Sequence, residues 1–238
     1  MIPPVVVLSL FKYEGFKPKF WAFTMMQFAH RYLKDVGGLR FYRVLGTGAG
    51  NGFSWYSDFS TYALLTVWDN EAAVDAFIAE SELYDQYRDN SAEQFSVYML
   101  PTRSHGMWSG QNPFLPVEPA ESQGDNKGGI TAVITRATIA NRQLLRFWKY
   151  VPRTSGSLER YDGLIFAKGI GEWPIKQMAT FSLWEDLKSM QAFAYRNEDH
   201  RIAIQKTREL NWYNEELFAR FRPFKTTGTW DGKQLLPF

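Results

Sequence analysis

Apolar and polar positions along the first part of the chain switch between two periods. VVVLSLF (Val5–Phe11) is a continuous apolar run that soon meets Lys12 and Glu14, and it is predicted to be a strand rather than a membrane span. Trp21–Val36 reads as a helix stopped by Gly37 and Gly38. Its section Trp21–Tyr32 is apolar on nearly every side, so it is either wedged between other elements or touches membrane or a greasy substrate, and the wedge is favoured. Leu39–Leu45 is a strand, TGAGNGFS a glycine-rich loop, and Thr61–Trp68 the next strand. Asp69 is placed to cap a helix starting near Glu71, and Glu93–Leu100 is a fourth strand.

The same order then returns. After LPVEPAESQGDNKGG (115–129), a polar stretch rich in Pro and Gly that reads as a linker, come a strand ITAVITRATI and a helix around Arg142–Tyr150. Strands Gly163–Gly169 and Gln177–Trp184, a helix Leu187–Leu210 and a strand Glu216–Phe221 complete the second half. Trp68 matches Trp184 and Phe77 matches Phe193 at one offset, EQFSVYMLP matches EELFARFRP, and GMWSG matches GTWDG. Four matched segments in one order point to duplication. The halves are 1–114 and 130–238. Each follows strand, helix, strand, strand, helix, strand, the ferredoxin-like pattern of the α+β class. Two such units are expected to set their antiparallel sheets face to face in a closed or nearly closed barrel, with a ligand either inside it or between sheet and helices.

Composition narrows the chemistry. The chain has 238 residues, 45% of them apolar, enough for one large or two modest folded units. Twenty-seven Lys and Arg against 25 Asp and Glu give no electrostatic reason to bind nucleic acid. With no cysteine, disulfides, thiolate metal sites and a cysteine nucleophile are excluded, in keeping with a cytoplasmic setting. Aromatic residues make up 17% of the chain; they serve as core, and would equally serve a large flat apolar ligand.

His200 is the sharpest candidate. Phe193, Asn197, His200, Ile204 and Thr207 are spaced by fours and threes, so they share one helical stripe. A histidine among apolar neighbours is either a hydrogen-bonded core residue or an axial ligand to haem iron. The matching position in the first half is Tyr84, so only one of the two related sites carries a histidine. His30 and His105, the latter in a predicted turn, have no partner at zinc-ligand spacing. LGTGAGNGF lacks the lysine and following helix of a phosphate loop and reads as a turn or lid. Arg40, Arg43, Arg136, Arg146, Arg196 and Arg201 lie on or beside core elements; a buried arginine needs a partner, either a carboxylate or a haem propionate. No Ser, His, Asp set and no carboxylate pair supports hydrolysis.

The segments GLRFYRVLGTG, TVWDNEAAVDAF, MWSGQNPF, LLRFWKYVP, GLIFAKGIGEWP, QMATFSLWEDLKSMQAFAY and HRIAIQKTRELNWYNEELFARF resemble the spheroidene monooxygenase family of carotenoid ketolases. The likeness covers nearly the whole chain. It implies a haem b (iron) oxygenase that adds a hydroxyl and then a keto group to an acyclic carotenoid, a long apolar polyene. O₂ and an electron donor such as reduced ferredoxin would be consumed, with peripheral contact to the membrane where the substrate resides. The family is also similar to dimeric α+β barrel proteins, in which haem ligands come from a helix of the C-terminal unit, and His200 stands in such a position. The resemblance implies His200 as the iron ligand, with Arg196, Phe193 and Ile204 around the cofactor. Arg43, on the strand before the glycine loop, is the catalytic candidate. Two other readings stay open: a haem lyase or peroxidase resembling aldoxime dehydratase, and a haem- or polyene-binding protein without turnover.

Overall fold

The computed structural model describes residues 3–50, 56–115, 129–148, 161–196, 210 and 212–238. The first half runs β1 (Val5–Lys12), α1 (Phe16–Phe28), α2 (His30–Leu33), β2 (Leu39–Gly48), β3 (Ser57–Trp68), α3 (Glu71–Glu80), α4 (Glu82–Asn90) and β4 (Glu93–Gly106). The second runs β5 (Thr131–Ile139), α5 (144–148, entered through the 3-10 turn Asn141–Gln143), β6 (Leu164–Trp173), β7 (Gln177–Trp184), α6 (Leu187–Arg196) and β8 (Tyr213–Gly228). All pairings are antiparallel, and the strands close a barrel in the order β1-β3-β2-β6-β7-β5-β8-β4. Within that ring each half keeps the ferredoxin-like order, so the expected duplicated α+β barrel within one chain is what forms.

β1 is apolar at nearly every position because both its faces are covered. Val6, Leu8 and Leu10 enter the barrel interior, while Val5, Val7 and Phe11 meet the helices. The interior is filled by the barrel's own tails. Beyond β4, Trp108 and Phe114 pack on Phe41 and Phe221; beyond β8, Trp230 packs on Phe166, with Leu236 in the same core. Space for a ligand therefore lies outside the barrel.

The halves meet at two seams of unequal length. β2 and β6 share only Gly46–Gly171 and Thr47–Ile170, whereas β4 and β8 pair from Phe95 to Gly106. These long strands outrun the expected Glu93–Leu100 and Glu216–Phe221 and run through Pro101 and Pro223. Those prolines sit beside register shifts after Tyr98 and Pro101, where a bulge tolerates a residue that cannot donate to the ladder.

A reciprocal clasp locks this long seam. Glu215 accepts the Ser109 and Gly110 backbone N–H groups at 3.0 and 2.8 Å, and pairs with Arg136. In the mirror arrangement Glu93 accepts the Asp231 and Gly232 N–H groups at 2.9 and 2.7 Å and the Thr229 hydroxyl at 2.8 Å. Each half thus holds the turn of the other. Gly106 and Gly228 admit the approach: both have positive φ, and a Cβ would stand 2.2 Å from the Glu216 carbonyl oxygen or 2.1 Å from that of Gln94.

Three local expectations are corrected. Asn70, not Asp69, caps α3, its side chain accepting from the Ala73 N–H at 3.0 Å, while Asp69 pairs with Arg40 at 2.5 Å. α1 starts at Phe16 and gives way to α2 at Ala29 rather than running from Trp21 to Val36. It is not wedged: Ala22 and Met25 face the sheet, and Phe16, Phe20 and Phe23 are exposed. His105 lies in β4, stacked on Phe218, rather than in a turn. The predicted helix Leu187–Leu210 is described as far as Arg196.

Glu215→Ala leaves the Arg136 side chain, 2% exposed, short of its principal partner, and is expected to cost about 3 kcal/mol in urea denaturation. Burial opposes ionisation of Glu215, but the Gly110 and Ser109 N–H groups and Arg136 outweigh it, and the carboxyl is held below its ordinary 4.5. Its stabilisation is therefore complete above that unfolded-state value and drains as pH falls through the lowered one. A Glu215→Gln variant should show a flatter loss of stability on acidification below about pH 4.5.

Candidate functional site

The two sheets differ on their helix-facing sides. In the first half this side is sealed by α4: the Tyr84 hydroxyl meets Ser96 Oγ at 3.4 Å, and Ser96 Oγ donates to Ser9 Oγ at 2.7 Å. The Tyr84 ring stands edge-on to Phe11 and Phe77, and Ser9, Leu64 and Ser96 are buried beneath it. Strand register identifies the counterparts. Val5 lies opposite Trp68 and Thr131 opposite Trp184, so Thr135 stands where Ser9 does and Thr180 where Leu64 does. Lys12 faces Glu93 and Thr138 faces Glu215, which puts Phe218 in the place of Ser96. Thr135, Thr180 and Phe218 are all partly exposed, and the Thr180 hydroxyl, itself buried, has no hydrogen-bond partner.

Among the described residues, apolar packing on this side forms two clusters. One cluster joins Val133, Ala167, Trp184 and Met190; another joins Ile139, Phe147, Met178 and Trp212. On the first sheet the equivalent side is one continuous cluster. α6 lies over the Trp184 end, where the Phe193 ring packs 5.3 Å from Trp184 and 5.2 Å from Tyr161, and the Tyr161 hydroxyl donates to the Ala192 carbonyl at 2.9 Å.

Of the residues singled out from the sequence, Phe193 is on this face and Arg196 closes α6; His200 and Ile204 lie outside the described residues. Arg43 is on the other side of the wall. It shares the inward parity of Phe41 and Leu45, lies over the Phe41 ring at 4.2 Å and pairs with Glu172 at 2.6 Å, not aligned as a hydrogen bond. Glu172 also accepts from Trp108 Nε1 at 2.8 Å and lies 3.7 Å from Arg136. The partners of Arg136 are thus carboxylates of this chain. Among the described residues no group of three or more His, Cys, Asp or Glu could hold a metal ion.

A pocket of about 250 Å³ opens at the short seam between α1 and the β6–β7 hairpin. Phe23, Phe59, Trp173, Ile175 and Met178 line it, and the seam glycines Gly46 and Gly171 form part of its wall. Sequence reasoning missed this pocket, because its walls come from both halves and only barrel closure brings them together. Two of its polar groups have defined states. The buried Tyr62 hydroxyl has no partner, and burial, helped by the Asp58 charge, pushes its pKa up to about 12, so it stays a proton donor. Burial opposes ionisation of Asp58, but the Ser60 N–H and Lys168 hold its pKa below the ordinary value; Lys168 reaches it at 3.1 Å across the seam. Met178 belongs both to this pocket and to the Ile139–Trp212 cluster, so the pocket adjoins the helix-facing side of the second sheet.

A closed barrel of two fused ferredoxin-like units, with ligand space between sheet and helices, defines the class: an intrachain dimeric α+β barrel enzyme. A crystal structure of an aldoxime dehydratase in complex with butyraldoxime shares this fold, with TM-score 0.62, 11% identity, and coverage of 94% of this chain and 80% of that one. No family model matches the chain. Spheroidene monooxygenase of Rhodobacter capsulatus is 36% identical over 233 residues, covering 98% of this chain and 95% of the relative. The spheroidene monooxygenase of Cereibacter sphaeroides is 34% identical, covering 96% and 69%. The chain belongs to the spheroidene monooxygenase family.

Tyr84→Phe, which breaks the hydroxyl chain to Ser96 and Ser9, is expected to cost about 1 kcal/mol. Tyr84→Ala, which empties the position, is expected to cost about 4 kcal/mol. Denaturant titration of both variants measures how firmly the first helix-side face is closed.

Proposed function

We propose that this chain is a haem-dependent monooxygenase that places a hydroxyl and then a keto group on an acyclic carotenoid. The observation that carries the reading is the inequality of the two helix-facing sides. Where Tyr84 covers the first sheet, Thr135, Thr180 and Phe218 of the second are partly exposed, and the buried Thr180 hydroxyl has no hydrogen-bond partner. An apolar face with polar groups left unpaired suits a large flat cofactor. The residue at the Tyr84 offset in this half is His200. Of the other two histidines, His30 hydrogen-bonds the Tyr42 hydroxyl of the first half at 3.2 Å, and His105 stacks on Phe218 at 5.3 Å, at the β4 edge of this face.

On this reading His200 would hold the haem iron, and Phe193, Arg196 and Ile204, on or next to its stripe, would border the cofactor. Haem would supply activation of O₂, with electrons drawn from an external donor such as reduced ferredoxin. The chain's own part is positioning. The seam pocket takes an apolar chain end between Phe23, Phe59 and Trp173, and Tyr62 offers it one hydrogen-bond donor. Each insertion consumes one O₂, two electrons and two protons and releases one water; a second insertion at the same carbon gives a hydrate that loses water to the ketone. Arg43 serves by bracing Glu172 within the barrel, a positioning role.

The reading is tested on protein produced with ample haem, parent against His200→Ala. The parent is expected to show a strong Soret band and the variant to lose or shift it, while the parent transfers label from isotopic O₂ to the carotenoid product only when reductant is present. A colourless parent, or a variant with the parent's spectrum, overturns the ligand assignment. Product formed without reductant would mark a dehydration instead.

A further inference from the structure

No helix among the described residues is long and apolar enough to cross a membrane, yet α1 presents a face that solvent alone does not explain. Phe16, Phe20 and Phe23 recur at helical spacing on one side and are 83, 58 and 54% exposed, while Ala22 and Met25 hold the opposite side to the sheet. The aromatic surface continues onto the neighbouring hairpins. Phe23 packs against the exposed Phe59 at 6.2 Å, and both, with the exposed Trp173 and Ile175, form the rim of the seam pocket.

Basic residues outnumber acidic ones along α1 and α2. Between residues 14 and 34 lie Lys17, Lys19, Arg31 and Lys34 against Glu14 alone, a local balance of +3. Lys17 and Lys19 stand at the start of α1, whose first turn contains no acid. The positive end of a helix dipole disfavours cations there. α3 and α4 begin instead with Glu71 and with Glu82 and Asp85, the arrangement that favours the helix. Across the pocket Lys176 lies 5.9 Å from the Trp173 ring.

We propose that α1 and the rim of the seam pocket form a docking surface for an anionic lipid bilayer, with the helix lying in the interface and the pocket opening toward the acyl chains. Aromatic side chains enter the apolar boundary while the flanking lysines meet lipid phosphates, a combination suited to an interfacial helix. A second copy of this chain fits less well, since a two-fold contact through this face would set like charges against each other. The nature of the cargo, a membrane-dissolved polyene, rests on the function proposed above; the docking surface rests on the exposed residues and their charge.

The test is flotation of the full-length protein with vesicles of phosphatidylcholine alone or mixed with phosphatidylglycerol, so turnover plays no part in the readout. The parent is expected to float with the mixed vesicles, less so at high salt. The triple variant Phe16→Ser, Phe20→Ser, Phe23→Ser should lose partitioning by at least about tenfold with an unchanged melting temperature. Lys17→Glu with Lys19→Glu should abolish the preference for anionic lipid, and it keeps the test decisive if the triple variant folds poorly. Leu145→Ser, at a residue 91% exposed on α5, should bind as the parent does. The proposal is overturned by a parent that stays in the soluble fraction, by both α1 variants binding undiminished, or by a parent dimer in light scattering that the triple variant dissolves without any vesicle binding. None of these failures touches the haem reading, whose signal is spectral.

Discussion

Two glutamates, each gripping the backbone of the other half, are the constraint from which the rest of the structure follows. Glu93 and Glu215 each accept two consecutive N–H groups from a Trp-x-Gly turn, a geometry only an ionised carboxylate fills well. Holding those turns fixes the overlap of β4 with β8. It also drives Trp108, Phe114 and Trp230 back into the barrel as plugs. A plugged barrel leaves the helix-facing sides of the sheets as the places where a ligand can lie. The clasp therefore determines where chemistry can occur without touching it.

Duplication supplied two such sides, and they have diverged. On the first, a phenol, two serines and two phenylalanines close every gap, and the residues beneath are as buried as the barrel interior. On the second, the same three sheet positions carry two threonines and a phenylalanine, each partly exposed.

The repeat, strand order and barrel were legible in the sequence because hydrophobic period and glycine placement are local signals that occur twice. Less legible was whatever depends on partners distant in the chain. β4 and β8 run past the strand ends read from the sequence, since a cross-seam bulge accommodates Pro101 and Pro223 only after the halves meet. Arg136 was rightly read as a cation needing a partner, but that partner, Glu215, lies across the β5–β8 ladder. Asp69 and Asn70 are both good caps by type, and the choice was made by Arg40 on β2 drawing Asp69 away. Apolar content alone could not distinguish a wedged α1 from an exposed one, because the stripe facing the sheet and the stripe facing outward are both hydrophobic. Of the predicted stripe from Phe193 to Thr207, Phe193 is the one member whose packing is described.

The short seam gives the two sites a common logic. At Gly46 and Gly171 the sheets approach through residues without side chains, and β2 and β6 share only two residue pairs, so the wall of the barrel is thin there and a pocket forms outside it. That pocket has α1 on one side and Met178 on the other, and Met178 also packs on the helix-facing side of the second sheet. An apolar chain entering past α1 would therefore meet that side without passing through the barrel. Had the long seam been the loose one, the pocket would lie against the charged clasp, where an apolar ligand would have to displace Glu215 from its N–H donors and Arg136. The inequality of the seams thus puts the pocket away from Glu215, beside the Asp58–Lys168 pair that crosses the short seam.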